Sequence, residues 1–413
     1  MISIIVLACV FILIAVRGLG NLRLQIWQIM TMGAAAVLIT GQINPLDAIN
    51  AVNLDVLFFL FGMFIVGEAL ESSGYLSQLS YRVFRKARSL DTLVLAILFV
   101  MGLMSAFLMN DTLAIIGTPV VLLLAKRANT TPKILMLSLA FAITIGSVAS
   151  PIGNPQNLLI AVNGGVNNPF VTFFRYLLVP TVINLFVAYL FLKLFYRRHF
   201  DTTPIVHEAE PVRDEKLARL CKVSLGLLIA LIVLKIAFVF TGSNLDFRLT
   251  YIALTAAFPI IAFSPGRLNI VRKIDWFTLV FFAAMFILME SVWDSGVVQS
   301  VLTNSNLNLT STPVILAVSI ILSQFISNVP LVALYLPVLA KLGVSAAGLM
   351  ALAAGSTIAG NFSILGAASN VIIIQNAEKK FGETLTFFEF VRIGIPLTVV
   401  NAGVYWLFFM VIR

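Results

Sequence analysis

The stretch AFLMNDTLAII, Ala106–Ile116, sets Asn110, Asp111 and Thr112 side by side in a run of apolar residues. An amide, a carboxylate and a hydroxyl placed among apolar neighbours must each find a protein partner or a solute. Polar groups of the same kind recur in three further apolar stretches. SPIGNPQN carries Ser150, Gly153, Asn154 and Asn157; SQFISNVP carries Ser327 and Asn328; GNFSILGAASN carries Asn361, Ser363, Gly366, Ser369 and Asn370. Their amide and hydroxyl oxygens suit a hard monovalent cation, which places candidate sodium sites at the Asn110 and Asn328 clusters. Their N–H and O–H groups suit an oxyanion or a polyhydroxyl solute. One such residue alone is explained by close helix packing, whereas four clusters in register point to binding.

Asp111 is the candidate for coupling. A carboxyl at depth is costly unless paired, hydrated or neutralised, so Asp111 is expected to link a proton, or a sodium ion, to movement of the solute. Glu68 and Glu290 fall in the last turns of their apolar segments, where gating and interfacial snorkelling weigh equally. Lys235, late in its segment, is expected to snorkel outward.

The chain that must position these groups has 413 residues, 60% hydrophobic and 11% charged. A water-soluble fold of that length could not cover such a core, so the chain is expected to lie in a membrane. Crossing a bilayer takes about 20 apolar residues as helix. Candidate spans are 2–16, 24–40, 54–70, 134–162, 176–195, 223–241, 249–264, 275–292, 349–375 and 393–412. Strand alternation does not recur, which disfavours a barrel. The first segment has Arg17 behind it and no positive charge ahead, the reverse of a cleaved signal, and both termini are expected outside. The net charge of +9 is assigned to cytoplasmic loops rather than to a nucleic acid. Cys9 and Cys221 lie far apart and define neither a disulfide nor a thiolate metal site. With no phosphate-cradling loop the chain is not itself an ATPase; a separate ATPase partner and a homodimer stay open.

The polar stretch Tyr196–Lys222, with His199 and His207, divides the chain into 1–196, a linker 197–222, and 223–413. The two parts resemble each other. GMFIVGEALESSG (62–74) lies over AMFILMESVWDSG (284–296), FLMNDTLAIIGTPV (107–120) over FISNVPLVALYLPV (325–338), and TIGSVASPIGNPQN (144–157) over TIAGNFSILGAASN (357–370). Glu68 thus matches Glu290, and Asn110 matches Asn328. Asp111 meets Val329 and has no twin. Segment 75–89 carries Arg82, Arg85, Lys86 and Arg88, while its counterpart 297–312 is uncharged. The positive-inside rule puts these on opposite faces, which implies inverted repeats.

Segment 90–125 leaves one basic stretch and reaches another, so it is expected to enter the membrane, turn at Asn110–Thr112 and return. The returning arm of 313–340 covers only about 18 Å at 1.5 Å per residue, short of a crossing. Two re-entrant hairpins follow, with tips lining a wet cavity. In 134–162 the residues Pro151, Gly153 and Pro155 break the helix, and 349–375 has the matching interruption around Gly360 and Gly366. Each break offers a positive helix end and loose carbonyls. The fold class expected is an all-α polytopic membrane protein of two inverted repeats, each of about five transmembrane helices with a re-entrant hairpin and a broken helix.

NDTLAIIGTPVVLLLAKR, SPIGNPQNLLIA and SQFISNVPLVALYLP resemble the hallmark stretches of the ion transporter superfamily, in particular its arsenite permease and NhaD-type antiporter branch and the related anion permeases. The resemblance covers essentially the whole chain, and divalent anion:sodium symporters are more distant. It implies secondary transport with inverted repeats, hairpins and elevator-like exchange of the site. Those symporters typically carry Ser-Asn-Thr at both tips, where this chain has Asn110-Asp111-Thr112 and Ser327-Asn328-Val329. Two thiols could not hold arsenite as a thiolate complex, so oxygens and amides would bind it as a neutral hydroxyl compound.

The expectation is therefore a secondary active transporter, not an enzyme, moving a small anion or neutral oxyacid such as arsenite. It would be coupled to protons or sodium in a prokaryotic inner membrane and could serve arsenical resistance. A sodium/proton antiporter and an ion channel are the alternatives. No further cofactor is expected.

Overall fold

A backbone without water to bond must satisfy its own polar groups, and in this chain it does so as helix. The computed structural model describes residues 2–412 except 17, 20–21, 167, 201–210, 241–247, 298–299, 301–307, 309 and 327. Ser327 and His207 lie outside the described residues. The first half holds α1 (Ile2–Val16), α2 (Ile26–Ile39), α3 (Pro45–Ala51), α4 (Leu54–Ser72), α5 (Tyr75–Phe84), α6 (Leu90–Leu108), α7 (Asn110–Arg127), α8 (Pro132–Ser147), α9 (Pro155–Asn163) and α10 (Pro169–Phe195). The second holds α11 (Glu215–Phe240), α12 (Leu249–Phe263), α13 (Arg267–Lys273), α14 (Trp276–Asp294), α15 (Thr312–Ile326), α16 (Asn328–Lys341), α17 (Ala346–Ile358), α18 (Ala368–Phe381) and α19 (Phe387–Val411). A short antiparallel ladder, Gly18–Leu19 with Leu22–Arg23, joins α1 to α2.

Among the described residues five helices are each long and apolar enough to cross a membrane: α6, α10, α11, α14 and α19. The bent pair α3 and α4 adds a sixth, and α1, α2, α8, α12, α15 and α16 are shorter apolar helices. The chain is multi-pass.

The helices pack as two bodies. In one, which we term the frame, α4 packs on α12, α2 on α14, and α11 on α12 and α4, with α1 against α2. The other holds α6–α10 and α15–α19, with α8 and α17 inside it. Its packing crosses between the halves: α9 lies on α16, and α18 lies on α7. Asn376 of α18 donates to the Ile115 carbonyl of α7 at 3.3 Å.

Both ends of the α6–α7 pair lie at one end of the molecule. Asp91 in the first turn of α6 pairs with Lys193 of α10 at 2.7 Å. Phe195 next to it lies under Arg392 of α19, whose neighbour Glu389 pairs with Lys133, just past α7. The α15–α16 pair behaves alike: Ile315 in the first turn of α15 lies beside Gly348 in the first turn of α17, shortly after α16 ends.

The linker is shorter than expected, because α11 begins at Glu215 rather than 223. The sequence EKLARLCK explains this: Leu217, Ala218 and Cys221 form a buried stripe while Glu215, Lys216 and Lys222 face outward, and Glu215 favours a helix start.

Candidate functional site

The first break begins where α8 ends at Ser147. Pro155 opens α9 at a position where no backbone N–H is needed, and Asn154 caps it by accepting the Asn157 N–H at 2.9 Å. Between them the chain folds back so closely that a Cβ on Gly153 would stand 2.3 Å from the Ser147 carbonyl oxygen. Asn157 Nδ2 donates to the carbonyls of Ser147, Val148 and Ser150 at 3.1, 3.3 and 3.0 Å. The loose carbonyls expected at the helix end are thus held by an amide, and those of Ser147 and Ser150 also accept the Ser150 and Gly153 N–H groups.

The second break repeats the device. Asn370 Nδ2 donates to the carbonyls of Gly360 and Ser363 at 2.6 and 3.3 Å, and a Cβ on Gly366 would stand 2.3 Å from the Ala359 carbonyl. Gln324 of α15 adds a clamp, donating to the Ala359 carbonyl at 2.9 Å and accepting from Ser363 Oγ at 2.8 Å.

The hairpin tip Asn110–Thr112 forms the first turn of α7, after Met109 turns the chain at φ 65°. The Asn110 N–H donates to the Gly153 carbonyl at 3.2 Å, which docks tip on break. Asn110 Oδ1 accepts the Asp111 N–H at 3.0 Å. The two breaks also touch. Thr357 Oγ1 accepts from Asn154 Nδ2 at 3.2 Å and donates to Asn157 Oδ1 at 3.3 Å. Its counterpart Thr144 puts its methyl 3.1 Å from where a Cβ on Gly360 would be.

Asn110, Thr112, Ser150, Asn154, Asn157, Asn328, Asn361, Ser363, Ser369 and Asn370 are all buried. Several keep polar atoms without a protein partner: Asp111 Oδ1, Asn328 Oδ1, Asn361 Oδ1 and Nδ2, Ser369 Oγ and Asn370 Oδ1. Asp111 and Ile115 share a face of α7, and Ile115 lies against Gly67 of α4, so Asp111 sits where hairpin meets frame. The wet cavity expected at the tips is small here. The space that Met109, Thr112, Ile152 and Asn154 share with Phe59, Ile232 and Lys235 of the frame is about 20 Å³, enough for about one water. Across from the second break, Gln324, Ala367 and Val371 share about 10 Å³ with Met30 and Phe281. Lys235, half-buried, is among the residues that line the first of these cavities.

The two matched glutamates have opposite surroundings. Glu68 is buried and accepts from Lys380 of α18 at 2.8 Å, and Glu71 binds the same ammonium at 2.5 Å. Burial, the largest effect, works to lower Lys380, but Glu71 and Glu68 outweigh it and hold the ammonium above its ordinary value. Its neighbour Lys379, which bonds the Lys273 and Ile274 carbonyls, is pushed down by burial. Glu290 is half-buried and faces the carboxylates of Asp294 and Asp47.

Sequence reasoning missed Gln324, Lys235, Thr144 and Thr357 as site residues. It also missed Asn184 and Asn401, which meet at 3.4 Å through the Asn184 amide and the Asn401 carbonyl. For the last pair a signal existed: TVIN (181–184) recurs as TVVN (398–401).

A family model described as Citrate transporter matches residues 9–348. The chain is similar to an uncharacterized transporter of Mycobacterium tuberculosis, 29% identical over 411 residues, covering 92% of this chain and 93% of that one. It is similar to a silicon efflux transporter of Oryza sativa, 26% identical over 448 residues and 90% of each chain. Among solved structures, the Alcanivorax borkumensis YdaH transporter aligns over 99% of this chain and 96% of its own, with a TM-score of 0.49 and 16% identity.

Proposed function

The chain belongs to the citrate transporter family and is a membrane transporter, and on that footing we propose that it is a secondary active carrier of a small anion or oxyacid. The solute would bind where the two hairpins meet the two helix breaks. The observation that carries this reading is the buried, partnerless polar set on Asp111, Asn328, Asn361, Ser369 and Asn370, grouped at paired breaks. Natural interiors satisfy nearly all such groups, so a set of them at discontinuous helices supports a solute site. Citrate and silicic acid, suggested by the family and by the plant relative, and arsenite, suggested by the tip sequence, are the solutes to test first. Asp111 is the group proposed to couple a proton or a sodium ion, with sodium sites proposed at the Asn110 and Asn328 clusters. The halves are proposed to be inverted copies, with both termini outside a prokaryotic plasma membrane.

Transport is proposed to move the body holding the breaks against the frame. Hairpin 90–125 and break 134–162 would carry one side of the site, and hairpin 313–340 and break 349–375 the other. The experiment is uptake into liposomes of citrate, phosphate, sulfate, arsenite and silicic acid, with and without sodium and a pH difference. Saturable uptake of one solute that stops when the gradient is collapsed is expected. Flux that rises linearly with concentration and needs no gradient would select a channel instead.

A further inference from the structure

We propose that the last two turns of α18 are a latch. A polar seam through Gln375, Lys379 and Lys380 clasps the moving body to the frame at one end of the molecule, is not repeated at the other, and so holds the solute-free carrier in the one transport state that this structure shows. The inference rests on the carrier reading above and adds to it what sets the resting state.

Within the moving body α18 lies on α7, but its C-terminal half reaches three helices outside that body. Gln375 Oε1 stands 2.6 Å from Oγ1 of Thr278 in the first turn of α14, and both residues are buried. One turn on, Lys379 Nζ donates to the Lys273 carbonyl at 3.0 Å and to that of Ile274, where α13 ends. Helix α13 packs on α4 and α12 of the frame, and carbonyls at a helix end suit an ammonium. Lys380 sits between Glu68 and Glu71 of α4, and Ser72 Oγ donates at 2.9 Å to the Glu68 oxygen that Lys380 does not use.

Elsewhere the boundary is built to slide. Gly67 of α4, one residue before Glu68, offers Ile115 of α7 a surface without a side chain. Apolar contact is non-directional, so one such contact can be exchanged for another as the bodies pass. An ammonium between two carboxylates is different, because each charge leaving the seam must find water or a new partner. The seam borders a cavity of about 550 Å³ walled by Glu71, Lys126 and Phe381, from which the parted charges would be hydrated.

The repeat makes the seam one-sided. Extending the match of Asn157 with Asn370 puts Val162, Val166 and Asn167 at the places of Gln375, Lys379 and Lys380, and no Lys or Arg occurs from 158 to 174. Glu290, the match of Glu68, faces the carboxylates of Asp294 and Asp47. In the opposite state, where the repeat would bring the end of α9 to the end of α14, the first half has no ammonium to offer. A contact present in one state alone biases the equilibrium toward that state. Site and latch also share a helix: Asn370, which closes the break, and Lys380 lie about 15 Å apart along α18. A break that shifts on binding solute moves the latch with it.

Cross-linking rates test this without flux. In a chain carrying Cys9→Ser and Cys221→Ala, the pair Gly67→Cys with Ile115→Cys spans the boundary, since a Cβ on Gly67 would stand 3.0 Å from Ile115 Cγ2. Copper-phenanthroline should join that pair in the latched state alone. Lys380→Met, and separately Glu68→Gln with Glu71→Gln, are expected to slow the joining about threefold or more in solute-free membranes, while Lys380→Arg keeps the parent rate. A control pair inside the moving body, Gly117→Cys with Leu139→Cys, should join equally fast in every background, a Cβ on Gly117 standing 2.9 Å from Leu139 Cδ1. Slowing of both pairs alike, or of neither, overturns the latch. The carrier reading is judged apart, by the liposome uptake described above: a wild type that transports, while its boundary pair ignores Lys380 and the two glutamates, keeps that reading and loses the latch.

Discussion

Asn157 and Asn370 stand in the same relation to their own helix breaks: each sends its amide back to the carbonyls ten and seven residues earlier, Ser147 and Ser150 in one half, Gly360 and Ser363 in the other. The Asn157 side chain also donates to the Val148 carbonyl and accepts from Thr357 Oγ1. The Ser147, Ser150 and Ser363 carbonyls keep a backbone donor when the amide is removed, so each truncation orphans one carbonyl, Val148 or Gly360, at about 1–3 kcal/mol, and loss of Asn157 also takes the acceptor of Thr357. Asn157→Ala should therefore lower the melting temperature more than Asn370→Ala, with both below wild type. Equal or reversed effects in a detergent melting assay would show that the amides are not what close the breaks.

Backbone closeness at the breaks makes a sharper prediction. Alanine at Gly153 or Gly366 would put a methyl 2.3 Å from a carbonyl oxygen of the preceding helix, where backbone has to move. Overpacking of this kind costs about 1–3 kcal/mol, and here it would also displace the docked tip. Gly153→Ala and Gly366→Ala should each reduce transport at equal protein level. Gly226→Ala and Gly403→Ala meet nothing within 4 Å and, lying inside helices, should be neutral or stabilising by up to about 1 kcal/mol.

If Asp111 couples the driving ion, Asp111→Asn should retain solute counterflow between equal pools yet lose accumulation against a gradient. Uphill accumulation by this variant under an imposed proton or sodium gradient would remove Asp111 from the coupling role.

The Lys380 pair predicts an alkaline signature. Because the ammonium is held above its ordinary value, its contribution is complete below the unfolded value of about 10.4 and fades as pH rises through the raised folded value. Melting measured from about pH 9 to 11.5 should fall more steeply for wild type than for Lys380→Met. The variant should also start lower, since Glu68 would keep a buried charge without its partner, a loss of up to about 3 kcal/mol. Parallel curves would contradict the assignment.

What could be read along the chain were features written locally. Helical segments followed from apolar runs, and the interruptions followed from Pro151, Gly153 and Pro155, whose backbone limits apply wherever they sit. The start of α11 was misjudged because the charges of EKLARLCK look like loop until the buried stripe of Leu217, Ala218 and Cys221 is seen. Contacts made across the halves were not legible. Nothing near Thr357 indicates that it serves the break around Asn154, and nothing near Gln324 says that it clamps Ala359. The neighbours of Lys235 were not legible for the same reason: Met109 of the hairpin, which lines the same cavity, lies more than a hundred residues earlier in the chain.

The crossed packing of α9 on α16 and α18 on α7 carries a consequence for biogenesis. The surface of α9 that α16 covers must wait in the bilayer or the translocon until α15 and α16 have been synthesised, on the order of ten seconds at ordinary ribosome rates. Newly made first halves would be natural clients of insertases and membrane proteases. A chain cut within 201–210 should mature only when both fragments are supplied together.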